Sequence, residues 1–161
     1  MKSVVRVIIA GMMLFAVPAF AQTDSSADTN MEILMQKLKA DKKLLVAANM
    51  ELTDAESKGF WPLYDAYQKD LHQMNERLGK MINEYAEAYN QGKGSIPNDT
   101  AKKLLNEVIS IDEQEVKLKR TYAGKVGKVL PAAKTARYIQ IENKIRAVIK
   151  FELARQIPLV Y

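Results

Sequence analysis

The sequence predicts an all-α protein: a long antiparallel helical hairpin with flanking helices, associating as a dimer. Three observations predict it. Apolar residues recur at alternating spacings of four and three along most of the chain, the period of one helix face. Seven Gly and five Pro in 161 residues are too few for the many tight turns of a β-sandwich or barrel. No cysteine is present, so a disulfide scaffold, a thiolate zinc site, an iron–sulfur cluster and a Cys nucleophile are excluded. The fold must hold by packing alone, and a chain of this length builds one domain of modest core or a pair of very small ones, with a single domain expected over 31–157.

The first segment, 1–21, reads as a secretory signal peptide. Lys2 and Arg6 precede an apolar run from Val7 to Val17, Pro18 breaks it, and Ala19-Phe20-Ala21 is a small-x-small cleavage site. That run is well short of the ~20 apolar residues needed to cross a bilayer. The expected product is therefore Gln22 to Tyr161, exported to a bacterial periplasm and not membrane-spanning. Residues 22–30 (QTDSSADTN) are polar, small and aperiodic, the signature of a disordered leader.

A first helix is expected from about Met31 to Ala48, with Thr29 or Asn30 as N-cap and Ile33, Leu34, Leu38, Leu45 and Val46 on its face. Asn49-Met50-Glu51 fits either side of its end. The second start is better marked, since Thr53-Asp54-Ala55-Glu56 fits a capping box. From there Phe60, Tyr64, Tyr67, Leu71, Met74, Leu78, Met81 or Ile82, Tyr85 and Tyr89 form a coiled-coil-like stripe on one long helix ending near Asn90. Pro62 falls inside the stripe, where it removes one N–H bond and either kinks the helix or marks off a short first piece. Gln91 to Pro97, with two glycines and then a proline, is the main turn. The third helix is expected from Asn98 to about Val129, with Leu104, Val108, Ile111, Leu118, Tyr122, Val126 and Val129 on its face and Glu115 interrupting it. Leu130-Pro131 breaks or kinks the pattern. A fourth helix from Pro131 to about Ile157 carries Tyr138, Ile141, Ile145, Val148, Ile149 and Leu153, and Pro158 ends it, leaving a short tail, 158–161. Two long helices of this kind leave wide apolar faces, which implies self-association or a surface kept exposed for a partner.

Charge is uneven. Gly92 to Tyr161 holds fourteen bases and seven acids, whereas Thr53 to Gln91 holds four bases and seven acids. Within Val116 to Ile141 stand Lys117, Lys119, Arg120, Lys125, Lys128, Lys134 and Arg137 with no acid at all. Such a run is either a solvated helical face or a basic surface for acidic partners: unfolded polypeptide, lipid headgroups or an acidic sensor domain. No nucleic-acid-binding motif accompanies it.

Leu52-Thr53-Asp54-Ala55-Glu56 resembles the Leu-Thr-x-x-Gln motif of the periplasmic Spy/CpxP family, with Glu56 where the family has Gln. Val129 to Tyr138 resembles that family's second copy, without its Thr and with Ala133-Lys134 in place of Glu-Gln. Over roughly Leu52 to Glu152 the chain is thus similar to that family, and its Phe60 to Tyr64 segment (FWPLY) is also similar to a wider set of exported helical bacterial proteins. The resemblance implies a cradle-shaped dimer with a basic and apolar face, acting as an ATP-independent chaperone or as a negative regulator of an envelope-stress kinase. It implies Lys117, Arg120, Lys128 and Arg137 as the bases of a binding face, with partly unfolded envelope proteins or a sensor-kinase periplasmic domain as partners. Leu52, Thr53 and Glu56 carry the motif, and capping chemistry explains Thr53 and Glu56 by itself. A structural envelope protein that uses its apolar faces in its own oligomer is the third expectation.

The other chemistry-bearing residues have plainer roles. His72 is the single histidine and flanks the stripe; with Glu76 at i,i+4 it falls short of the three or four ligands of a tight metal site. Met74 and Met81 fall on the stripe as core, while Met31 and Met35 are more exposed candidates for soft contacts. Phe60, Tyr64 and Tyr67 are expected to pack inward, and Trp61, one position off the stripe, to contact something outside it. Asp112, Glu113 and Glu115 do not place two carboxylates on one buried face, and no Gly-rich loop, nucleophile elbow or Ser-His-Asp set is present. The sequence therefore predicts no enzyme activity, no cofactor and no metal.

Overall fold

The computed structural model describes residues 40–160. The expected signal peptide 1–21, the leader 22–30 and Met31, Ile33, Leu34, Met35 and Leu38 of the first helix lie outside the described residues. Among the described residues the backbone is helical in four segments and contains no strand, so the all-α class is the observed one. The helices are α1 (40–50), α2 (Asp54–Gln91), α3 (Asn98–Val126) and α4 (Ala132–Gln156). None is long and apolar enough to cross a membrane. They divide into two compact units.

The larger unit, Thr53–Ile139 with residues 159–160, is built on the α2–α3 hairpin. Its start is fixed by the capping box: Glu56 N donates to Thr53 Oγ1 at 3.3 Å, and Thr53 N donates to Glu56 Oε2 at 2.8 Å. Two of the four orphan amides of a helix N-terminus are thereby satisfied. α2 then runs unbroken through Pro62. The N–H that Pro62 lacks would have bonded the Lys58 carbonyl, and both residues are exposed, so water can serve that oxygen. Buried Phe60 and Tyr64 anchor the chain on either side of the proline.

After α2 the Gly92 amide donates to Ala88 O at 3.0 Å. A Cβ at Gly92 would lie 1.8 Å from the Ser95 carbonyl oxygen, so only glycine closes this turn. The backbone turns at Lys93 (φ 51°) and Gly94 (φ 98°), and Ile96 is buried beneath it. Antiparallel pairing of α2 with α3 is read from cross-hairpin partners. Glu84 meets Lys103, Arg77 meets Glu107 and Asp70 meets Tyr122. α3 ends at Val126, three residues before the expected Val129. A turn follows, in which Leu130 N donates to Val126 O at 2.9 Å, and the Leu130-Pro131 step is a break between helices.

Burial along the hairpin is graded. Phe60, Tyr64, Tyr67, Leu71 and Met74 of α2 are buried, whereas Leu78, Met81, Ile82, Tyr85 and Tyr89 nearer the turn are half-buried. The buried aromatics of this unit form a cluster. Tyr138 at the start of α4 sits edge-on to Phe60 with centroids 5.0 Å apart, and Tyr67 sits edge-on to Tyr122 at 5.3 Å, arrangements favoured by the ring quadrupoles.

The smaller unit joins the described residues up to Leu52 to Gln140–Pro158. Val46 and Met50 of α1 and Ile145 and Ile149 of α4 are buried. The helix includes Met50, and the chain leaves it at Glu51, which takes a left-handed φ of 48°. Two charged residues are buried with this core, Glu142 and Arg146, and Lys42 Nζ bonds Glu142 Oε2 at 2.9 Å. Burial pulls the Lys42 ammonium below the usual lysine range, against the pull of Glu142 and with the repulsion of Arg146.

Candidate functional site

α3 carries two faces of interest. Leu104, Ile111, Glu115, Tyr122 and Val126 are buried. Glu115, the residue that interrupts the apolar spacing, lies in this buried row and is paired at 2.9 Å with Lys119 one turn on. The second face is exposed: Leu105, Ile109 and Val116 are 57%, 49% and 57% accessible. Steps of four and then seven residues place these three in one line along the helix, about a third of a turn from the buried row. Sequence reasoning missed this line because it followed the buried period. The signal was three large apolar residues displaced from the stripe by a common offset.

The basic run of Val116 to Ile141 divides by what each base touches. Lys119 pairs with Glu115, Lys134 Nζ bonds Glu56 Oε2 at 2.6 Å, and Lys125 Nζ lies 4.5 Å above the Tyr122 ring. These three belong to the unit's own packing. Lys117, Arg120, Lys128 and Arg137, the bases singled out in the sequence, are all exposed. Arg120 lies one turn beyond Val116 at the edge of the exposed line, and Lys117, the residue after Val116, lies over a quarter of a turn from it. Lys128 stands in the turn after α3, beside the 38% exposed Val129, and Arg137 stands in the second turn of α4. The structure thus brings Arg120 to the apolar line, and does not bring Lys117, Lys128 and Arg137 onto it.

Trp61 is half-buried, edge-on to Phe60 at 5.0 Å and to Tyr64 at 5.4 Å. Leu52 is half-buried just before the cap. Thr53 and Glu56 do more than start α2. Through Lys134, the Glu56 carboxylate ties the first turn of α2 to the first turn of α4, so the two motif-like stretches meet. The hydrogen bond from Lys134, then those at Thr53, hold the Glu56 carboxyl below the usual carboxylate range.

Two further side-chain pairs lie in the hairpin. The Arg77 guanidinium donates to both oxygens of Glu107 (2.5 and 2.8 Å), to Ser110 Oγ (2.9 Å) and to Gln114 Oε1 (3.0 Å). With four of its five N–H donors engaged it clips α2 to α3, and its hydrogen bonds hold the Glu107 carboxyl low. His72 Nε2 is 3.3 Å from Glu76 Oε1, with both side chains substantially exposed. Among the described residues no group of three or more His, Asp or Glu is placed to hold a metal ion. What the exposed α3 face can do is bind without covalent chemistry: apolar side chains at its centre, acids (Asp112, Glu113) before Val116 and bases (Lys117, Arg120) after it. The chain matches no family model, no curated protein and no solved structure.

Proposed function

We propose that this is an exported, chaperone-like protein of the bacterial periplasm that binds partly unfolded proteins without nucleotide, through a basic and apolar surface. One observation carries the reading: Leu105, Ile109 and Val116 stand exposed in one line on α3, with exposed Arg120 at its edge and exposed Lys117 next along the helix. Large aliphatic side chains are costly to leave in water, at about 25 cal/mol per Å² of apolar area. Asp112 stands in the same line, so the line's charge is mixed; the exposed apolar side chains suit an extended, partly unfolded segment, and the cations beyond Val116 steer its acidic groups. Charge steers the encounter and the apolar contact then shields the segment from aggregation. The basic run of the sequence and the export signal read in 1–21 support the same conclusion.

The test is aggregation suppression. A chemically unfolded client is diluted into the purified protein at low and at high salt, without nucleotide. Suppression that weakens with salt is expected, and the double variant Lys117→Glu/Arg120→Glu should lose most of it. Absence of suppression at both salts would overturn the reading and turn the search to one folded partner, such as a sensor-kinase domain.

A further inference from the structure

We propose that the outward face of α4 in the smaller unit docks on a lipid bilayer with anionic headgroups. Buried Glu142, Ile145, Arg146 and Ile149 fix which side of the helix faces the core. At about 100° per residue the opposite side carries Lys144, Ala147, Phe151, Ala154 and Arg155, with Lys150 at its flank. All six are exposed. Phe151 is 66% accessible, an aromatic ring held in water at the centre of that face. Lys144 stands two turns before it and Arg155 one turn after it, while Ala147 and Ala154 are too short to screen the ring. The face also has one sign of charge. Two acids occur between Gln140 and Pro158, and neither puts a carboxylate on the outward side. Glu142 is buried, and the Glu152 side chain is 14% accessible and bonded to Arg155 at 2.9 Å.

One ring among bases on a convex helix face gives a folded protein no groove to fill and no acid to fix its register, and interfaces between folded proteins rely on both. A bilayer needs neither. Its headgroup layer takes up a single ring, and an anionic leaflet presents negative charge wherever the bases fall. The stems of Lys144 and Lys150 can lie along the acyl boundary with their ammonium groups among the phosphates. The helix is not apolar enough to cross a membrane, so it lies in the plane of the interface, over the ~16 Å from Lys144 to Arg155. One ring and three bases make a shallow, reversible attachment. No residue of the exposed α3 line takes part, so membrane docking stands or falls without client binding.

Co-sedimentation with vesicles tests this. The protein is purified as Gln22 to Tyr161, the product expected after export, so that the apolar run Val7 to Val17 takes no part. It should bind vesicles of mixed phosphatidylglycerol and phosphatidylcholine, bind pure phosphatidylcholine roughly tenfold less or weaker still, and be released by salt. Phe151→Ala should weaken binding roughly tenfold by removing the inserted ring. Lys144→Gln/Lys150→Gln should weaken it roughly tenfold or more by removing two attractive charges. All three positions are exposed, so helical circular dichroism and the urea midpoint should stay unchanged in these variants. The absence of native cysteine allows a readout at the face itself: an environment-sensitive dye on Ala147→Cys should shift to the blue as vesicles are added. Three outcomes would each overturn the proposal: no binding to phosphatidylglycerol vesicles, a dye that stays in water while the protein sediments, or binding that Phe151→Ala leaves unchanged. The last would make the face a general polyanion site, open to any acidic macromolecule.

Discussion

Replacing Tyr122 by Phe isolates one buried hydroxyl. Tyr122 is 3% exposed, and its hydroxyl donates to Asp70 Oδ2 at 2.7 Å. Phe keeps the ring against Tyr67 and removes only that bond. Near neutral pH the loss should be about 1.5 kcal/mol, the low end for a bond to a charged acceptor, because Asp70 is half-exposed and can be rehydrated. The sharper expectation lies in the alkaline range. Burial first, and then the hydrogen bond and charge of Asp70, push the Tyr122 phenol up to about 12, against about 10 in an unfolded chain. Below pH 10 both states hold the proton and the contribution is complete. As pH rises from about 10 to 12 the unfolded chain releases the proton while the folded one keeps it, so stability falls. From these two values the loss is about 1.4 kcal/mol at pH 11, tending to ~2.7 kcal/mol above pH 12. The variant has no such group, and lysines and other tyrosines cancel in the comparison. Urea unfolding followed by circular dichroism should therefore show the wild-type advantage shrinking by about 1.3 kcal/mol from pH 9 to pH 11. An advantage that stays constant or grows would refute the reasoning, and with it the buried Tyr122–Asp70 bond.

Other expectations follow from the packing. Phe60 is fully buried among Trp61, Tyr64 and Tyr138, so Phe60→Ala should cost about 3–5 kcal/mol in urea unfolding and Phe60→Leu clearly less, since volume is largely kept. Thr53→Ala should cost about 1 kcal/mol by removing the cap acceptor, with Thr53→Ser restoring most of it. Glu142→Gln should destabilise the smaller unit by about 3 kcal/mol or more, because Lys42 and Arg146 lose the carboxylate buried with them. Hydrogen exchange at the amides of Val46 and Ile149 would report that loss, and unchanged protection would contradict it.

The hairpin was legible because its signals are local. Thr53 and Glu56 cap by direct chemistry, the glycines and Pro97 punctuate one turn, and Phe60 to Met74 follow a single period. The break at Pro131 was legible as well, because a proline and a lost period coincide there. Pro62 was ambiguous, since whether a helix survives a proline depends on its packing on either side and on water at the freed carbonyl, which are tertiary facts. The buried charges were illegible for a related reason. Glu142 and Arg146 stand one turn apart in the apolar row, and a charged residue there reads as an interruption until its partner from a distant segment, Lys42, is in place. The candidate site was half legible: its bases stood out as an acid-free run, whereas Leu105, Ile109 and Val116 showed only once the buried face of α3 was known.

The decline in burial along the hairpin has a dynamic consequence. Local opening of a folded chain costs about as much as the packing it undoes, so opening is easiest where side chains are least enclosed. In the α2–α3 hairpin that place is the stretch from Leu78 to Tyr89, far along the chain from the aromatic cluster and the capping box. Fluctuations of α2 should be largest over this stretch, beside the buried Ile96 and Leu104, and stop where Met74 and Leu71 are enclosed. Each opening uncovers Leu78, Met81, Ile82 and Tyr85, so the apolar area shown to solvent varies with temperature while the base of the hairpin stays shut.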